Sequence, residues 1–122
     1  MRILVCGSRH FDDFNQLNQL LADLDFRGTV GEPRIKTIIE GEAKGADTLA
    51  RKWGEMNGKE ILKFPADWDK HGRAAGPIRN NQMLDEGKPD LVVAFLAKDS
   101  KGTKNMIEQA EKAGVPVKVI NI

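Results

Sequence analysis

Three short stretches of this sequence combine glycine with hydroxyl and cationic side chains, and a fourth adds an arginine and an amide. They are Gly7-Ser8-Arg9, the segment GEAKGADT from Gly41 to Thr48, Arg79-Asn80, and Lys101-Gly102-Thr103. That mixture is the chemistry of an anion site. Glycine lets backbone N–H groups approach an oxyanion, and a helix that follows adds its positive N-terminal end. Gly7, Ser8, Gly102 and Thr103 would supply amide and hydroxyl donors. Arg9, Arg79 and Lys101 would neutralise phosphate, the arginines through their planar fork. Asp47 and Asn80 would bind polar groups of a ribose or a base. Gly41 and Gly45 would open the backbone of a turn, after which Asp47 or Thr48 either caps a helix or holds a ribose hydroxyl.

Each stretch alone also reads as an ordinary turn. GEAKGADT matches neither the Walker A loop nor the Gly-x-Gly-x-x-Gly dinucleotide fingerprint. Other chemistries find less support. His10 and His71 are too few and too far apart for a metal-ligand pattern, so no metal or other cofactor is expected. Ser8, His71 and Asp67 could be assembled into a triad, but Ser8 lies outside the Gly-x-Ser-x-Gly elbow that exposes a nucleophile. Trp68 could stack on a base or fold onto the domain. Cys6, the one cysteine, lies in the apolar run RILVCG and reads as a buried structural thiol.

These residues need elements to hold them. RILVC (2–6), KTIIEG (36–41), KEILKF (59–64), DLVVAFL (90–96) and VPVKVINI (115–122) read as strands. Between them, Phe14, Leu17, Leu21 and Leu24 recur at helical spacing behind Asp12 and Asp13. Leu49, Trp53 and Met56 do the same in a helix over 46–56. Residues 65–77 read as a long loop, with Pro77 opening a helix whose first turn carries Arg79 and Asn80. A last helix places Met106, Ile107, Ala110 and Ala113 inward and ends at Gly114. Strands alternating with helices predict a single α/β domain over 1–122, a Rossmann-like three-layer sandwich on a five-stranded, mainly parallel sheet. In such folds ligands sit at the carboxyl ends of the strands, where strand order reverses. The four motifs all follow or adjoin predicted strands.

Composition bounds the partners. The chain has 122 residues and a formal net charge of +1, which does not announce a nucleic-acid binder. No apolar run approaches the roughly 20 residues of a membrane helix, and the N-terminus has no cleavage pattern. A cytoplasmic protein without a membrane partner is expected.

Taken together, CGSRHF, IIEGEAKGADTLARKW, FPADWDKHGRAAGPIRNNQML, PDLVVAF and KGTKNMIEQA resemble the SLOG superfamily, most closely its YspA-like branch. The resemblance covers essentially the whole chain. It extends to the DprA family, whose Gly-Ser-Arg, Gly-x-x-x-Gly-x-Asp-Thr-x-Ala and Arg-Asn motifs match Gly7 to Arg9, Gly41 to Ala50, and Arg79-Asn80. That family binds single-stranded DNA. It extends also to the LOG phosphoribohydrolases, whose Pro-Gly-Gly-x-Gly-Thr-x-x-Glu hallmark matches here at Gly102-Thr103. The Pro-Gly-Gly is absent, and the catalytic glutamate position is Met106, which cannot handle a proton. The resemblance thus implies a homo-oligomeric domain binding a nucleotide-derived small molecule, as a sensor or sequestering module. An N-glycosidase with a rearranged acid (Asp67, Glu40 or Glu42) and a single-stranded DNA binder are the alternatives.

Overall fold

The computed structural model describes residues 1–26 and 34–122. Its strands are β1 (Arg2–Gly7), β2 (Thr37–Glu40), β3 (Glu60–Lys63), β4 (Leu91–Leu96) and β5 (Val117–Asn121). Its helices are α1 (Phe14–Phe26), α2 (Ala46–Met56), α3 (Trp68–His71), α4 (Ala75–Gly87) and α5 (Lys101–Lys112), with a 3-10 turn at Gly72–Ala74. All strand pairs are parallel, in the order β3-β2-β1-β4-β5. Interior strands of a parallel sheet are covered on both faces and must be apolar throughout. β1 and β4 satisfy this: Ile3, Leu4, Val5, Val92, Val93, Ala94 and Phe95 are fully buried. Burying each large side chain among them contributes roughly 1.5–3 kcal/mol.

Alternate strand residues face opposite layers. Ile3, Val5, Ile38, Val93 and Phe95 pack with Leu17, Leu21, Ala50 and Trp53 of α1 and α2. Leu4, Cys6, Ile39, Val92 and Ala94 pack with Met83, Met106 and Ala110 of α4 and α5. The chain therefore forms three layers, α/β/α, as the alternation of elements predicts. Strand order reverses between β1 and β4, where Gly7 lies in register with Phe95. At the opposite end of the sheet, Asp25 is buried but fully partnered. It accepts from the Ile35 amide at 2.7 Å and pairs with Lys59 Nζ at 2.9 Å.

Two sequence expectations are corrected. Residues 65–77 are not a plain loop. Asp67 accepts from the Lys70 amide at 3.1 Å and caps α3, a turn of helix too short for any apolar period to reveal. α4 begins at Ala75 rather than at Pro77. Pro77 still sits in the first turn, where its missing N–H costs nothing. Arg79 and Asn80 consequently fall in the second turn of α4, not the first.

Candidate functional site

A cleft of about 760 Å³ opens across the carboxyl ends of the strands. That volume suits a nucleotide-sized ligand. The loops after β1, β2, β3 and β4 and the inner face of α4 line it. Gly7, Ser8, Arg9, Gly41, Asp47, Arg79, Asn80, Lys101, Gly102 and Thr103 all reach it. Gly45 and Thr48 do not; they line a shallower hollow beside it, next to Arg9 and Lys44.

The floor is a set of polar groups already bonded to one another. Asp47 is folded back from the first turn of α2, and its Oδ2 accepts from the amides of Gly41 at 2.9 Å and Ala43 at 3.3 Å. Arg79 Nη1 donates to the Gly41 carbonyl at 2.5 Å, and its Nε donates to Asn80 Oδ1 at 3.1 Å. Asn80 Nδ2 donates to the Gly102 carbonyl at 3.2 Å and to Asn105 Oδ1 at 3.1 Å. Arg79 and Asn80 thus tie α4 to the loop after β2 and to the start of α5. The Thr48 hydroxyl donates to the Ala43 carbonyl at 2.9 Å. The expectation that Asp47 or Thr48 caps α2 is corrected. Gly45 holds the cap position, and no side chain caps the helix. Gly45 has φ of +80°, and a Cβ there would lie 2.2 Å from the Ser8 carbonyl oxygen. The β1 and β2 loops are therefore packed backbone against backbone.

Burial sets the electrostatics of this floor. It pushes the Asp47 carboxyl up to about 6, against the pull of the Ala43 amide, Arg79 and the Gly41 amide. Beneath it, Glu40 is fully buried at the end of β2. Its Oε1 accepts from the Glu42 amide at 2.5 Å, while Oε2 has no partner among the described residues. Burial is the largest cause that pushes Glu40 up to about 7. Cys6, whose thiol burial also raises, is an inert wall residue.

The rim is different. Arg9, Lys44 and Lys101 are exposed, and none makes an ion pair among the described residues. At the start of α5, Ser100 Oγ accepts from the Ala97 amide and does not cap the helix. The first-turn amides of Gly102 and Thr103 have no intrahelical acceptor. A Cβ at Gly102 would meet no atom within 4 Å, so the space before this turn is open. Trp68 and Lys44, which the phosphate-site reading omitted, also line the cleft. Lys44 could have been found from its place inside GEAKGADT; the exposure of Trp68 had no sequence signal. Of the candidate acids, Asp67 caps α3, and Glu42 lies 3.9 Å from Arg51. Met106 is fully buried, and Glu108 faces away from the cleft. Among the described residues no group of three histidine, cysteine, aspartate or glutamate side chains could hold a metal, and no helix is long and apolar enough to cross a membrane.

Comparison with known proteins agrees with this architecture. The DprA structure from Streptococcus pneumoniae, a DNA processing protein, superposes with a TM-score of 0.72 at 18% identity. The match covers 97% of this chain and 49% of that one, so the chain spans about half its length. The Gene 61 protein of Mycobacterium phage D29 is 35% identical over 121 residues, 95% of this chain and 93% of the phage protein. The model of the YspA, cpYpsA-related SLOG family matches residues 1–71, which run from β1 through α3 and carry the Gly7 and Gly41 motifs. The chain therefore belongs to the YspA, cpYpsA-related SLOG family.

Proposed function

We propose that the cleft binds a nucleotide or nucleotide-derived phosphorylated ligand, such as a nucleoside phosphate or an ADP-ribose-like molecule, as a sensor or sequestering module. One observation carries this reading: Arg9, Lys44 and Lys101, unpaired among the described residues, line the same cleft as the uncapped start of α5, at the end of the sheet where strand order reverses. A phosphate there would meet free amides, the helix dipole and two or three cations. The Ser8 and Thr103 hydroxyls lie within the same cleft. Arg79, Asp47 and Asn80 act in this reading as the frame that holds the β2 loop and α5 in place. Their own bonds leave them fewer free donors than the sequence alone implies.

Binding without cleavage is favoured because two of the three carboxylates that line the cleft, Asp47 and Glu42 but not Asp99, are engaged elsewhere. Asp47 holds two amides, Glu42 lies beside Arg51, and the place of the related hydrolases' glutamate is sealed by Met106. The single-stranded DNA reading draws on the fold shared with DprA and on the same exposed cations. Its partner would bind with a steep salt dependence. Association of two copies belongs to the same proposal, and sedimentation with and without AMP reads it.

Calorimetry against AMP, ADP, ADP-ribose and ribose 5-phosphate tests the main reading. At least one should bind, and the double variant Arg9→Ala, Lys101→Ala should weaken it about tenfold or more. Absence of binding, or equal binding by the variant, would overturn the proposal. Chromatography of the incubated nucleotides should return them intact; released base would favour the hydrolase. A gel shift with oligo-dT at two salt concentrations separates the DNA reading.

A further inference from the structure

The two tryptophans of this chain sit in opposite environments. Trp53 is 1% exposed, and its Nε1 donates to Asn18. Trp68 is 57% exposed, yet it lies in the wall of the cleft rather than on an outer face. Its backbone is held by a helix cap, and one edge of its ring lies beside α4. Asp67 caps α3, accepting from the Lys70 amide through its side chain and from the His71 amide, at 3.0 Å, through its carbonyl. The six-membered edge of the indole lies against Gly76 of α4, where an added Cβ would sit 3.5 Å from Cη2. A small residue at this point of α4 gives the ring room to lie close to the helix.

The opposite wall has a different character. Arg9, Lys101 and Gly102 offer charge and amides, and no phenylalanine or tyrosine reaches the cleft among the described residues. The cleft is therefore polarised, with anion-binding groups at β1 and β4 and one large aromatic face after β3. β3 lies two strands from β1 and three from β4, so the separation along the sheet is about 10 to 14 Å. A nucleoside monophosphate is extended in the same way, with a phosphate at one end and a flat aromatic base at the other.

We infer that Trp68 is the base-stacking platform of the cleft and makes it select base-bearing phosphates over sugar phosphates. This rests on the phosphate-binding reading above. An indole face stacks on a nucleobase with sequence tolerance, because every base presents a π-face. The Asp67 cap orders the backbone that carries the indole, and Gly76 gives its six-membered edge a surface to lie beside, which reduces the ordering left for the ligand to impose.

The test uses AMP and ribose 5-phosphate as probes of the wild-type chain, Trp68→Ala and Trp68→Phe. Trp68→Ala should weaken AMP about tenfold or more while leaving ribose 5-phosphate within about twofold. Trp68→Phe should recover most of the AMP affinity. AMP should quench the emission of the wild type and not that of Trp68→Phe, in which the buried Trp53 is the remaining fluorophore. Equal loss of both probes in Trp68→Ala, or AMP binding that ignores the substitution, overturns the stacking role and leaves the phosphate site standing. Failure of wild type to bind either probe overturns the phosphate-binding reading, and the stacking role with it.

Discussion

The floor and the rim of the cleft carry similar residue types and use them in opposite ways. On the floor, Asp47, Arg79 and Asn80 bond to Gly41, Ala43 and Gly102, and Arg79 bonds to Asn80. On the rim, Arg9, Lys44 and Lys101 bond to no acidic partner among the described residues. A polar side chain that bonds inside the protein holds shape; one left facing solvent in a concave site is available to a ligand. Motif membership does not separate the two roles, because Gly41 and Gly102 both belong to glycine-rich motifs. Substitutions at the floor should therefore register first as stability, and those at the rim as affinity.

The largest stability effect is expected at Gly45. An added Cβ meets the backbone of Ser8 and Arg9, which cannot rotate away, and φ of +80° disfavours any other residue. Gly45→Ala should cost about 4 kcal/mol in urea denaturation. A loss below about 1 kcal/mol would mean that the two loops are not locked together.

The next concerns Glu40. Its folded-state carboxyl titrates at about 7, against an ordinary 4.5, because it is buried. A raised acid favours the protonated fold. Its contribution is fully present below pH 4.5 and is lost as pH rises through 7. Asp47 acts in the same direction between 3.8 and about 6. Glu40→Gln removes the charge and keeps the oxygen that accepts from Glu42. It should be more stable than wild type by about 3 kcal/mol at pH 8 and nearly equal at pH 4. Parallel stability profiles for the two proteins would refute the assignment.

The smallest stability effect, with opposite signs for fold and function, belongs to Gly102. Alanine there fits open space and is the better helix former, so Gly102→Ala should raise stability by up to about 1 kcal/mol. The same methyl should keep a phosphate from the first-turn amides of α5 and weaken AMP about tenfold. Lowered stability, or unchanged AMP affinity, would remove Gly102 from the rim.

Much of this was legible in the sequence. Continuous apolar runs such as LVVAFL announced interior parallel strands, and Asp13 before Phe14 announced α1, where its Oδ1 accepts from Gln16. The glycine motifs pointed to the strand ends because Gly7 closes β1, Gly41 follows β2 and Gly102 lies in the first turn of the helix after β4. α3 was not legible, since four residues carry no period and its stability rests on the Asp67 cap. Nor was the division between floor and rim. Arg79 reaches Gly41 across 38 positions of sequence, and that bond exists once β2 and α4 are stacked. Trp53 and Trp68 are the same residue type, and only three-dimensional packing separates a core indole from a cleft wall. Arg79-Asn80 was misplaced by one turn because Ala75 and Gly76 carry no strong start signal while Pro77 does.

The central claim is that phosphate is held between the loop after β1 and the start of α5. An amide NMR titration of the wild-type chain with AMP tests it most directly. The amide signals of Ser8, Arg9, Gly102 and Thr103 should move first and furthest, with Ile35 and Lys59 at the far end of the sheet unchanged. Shifts centred on the far end, or no shifts at saturating AMP, would contradict it.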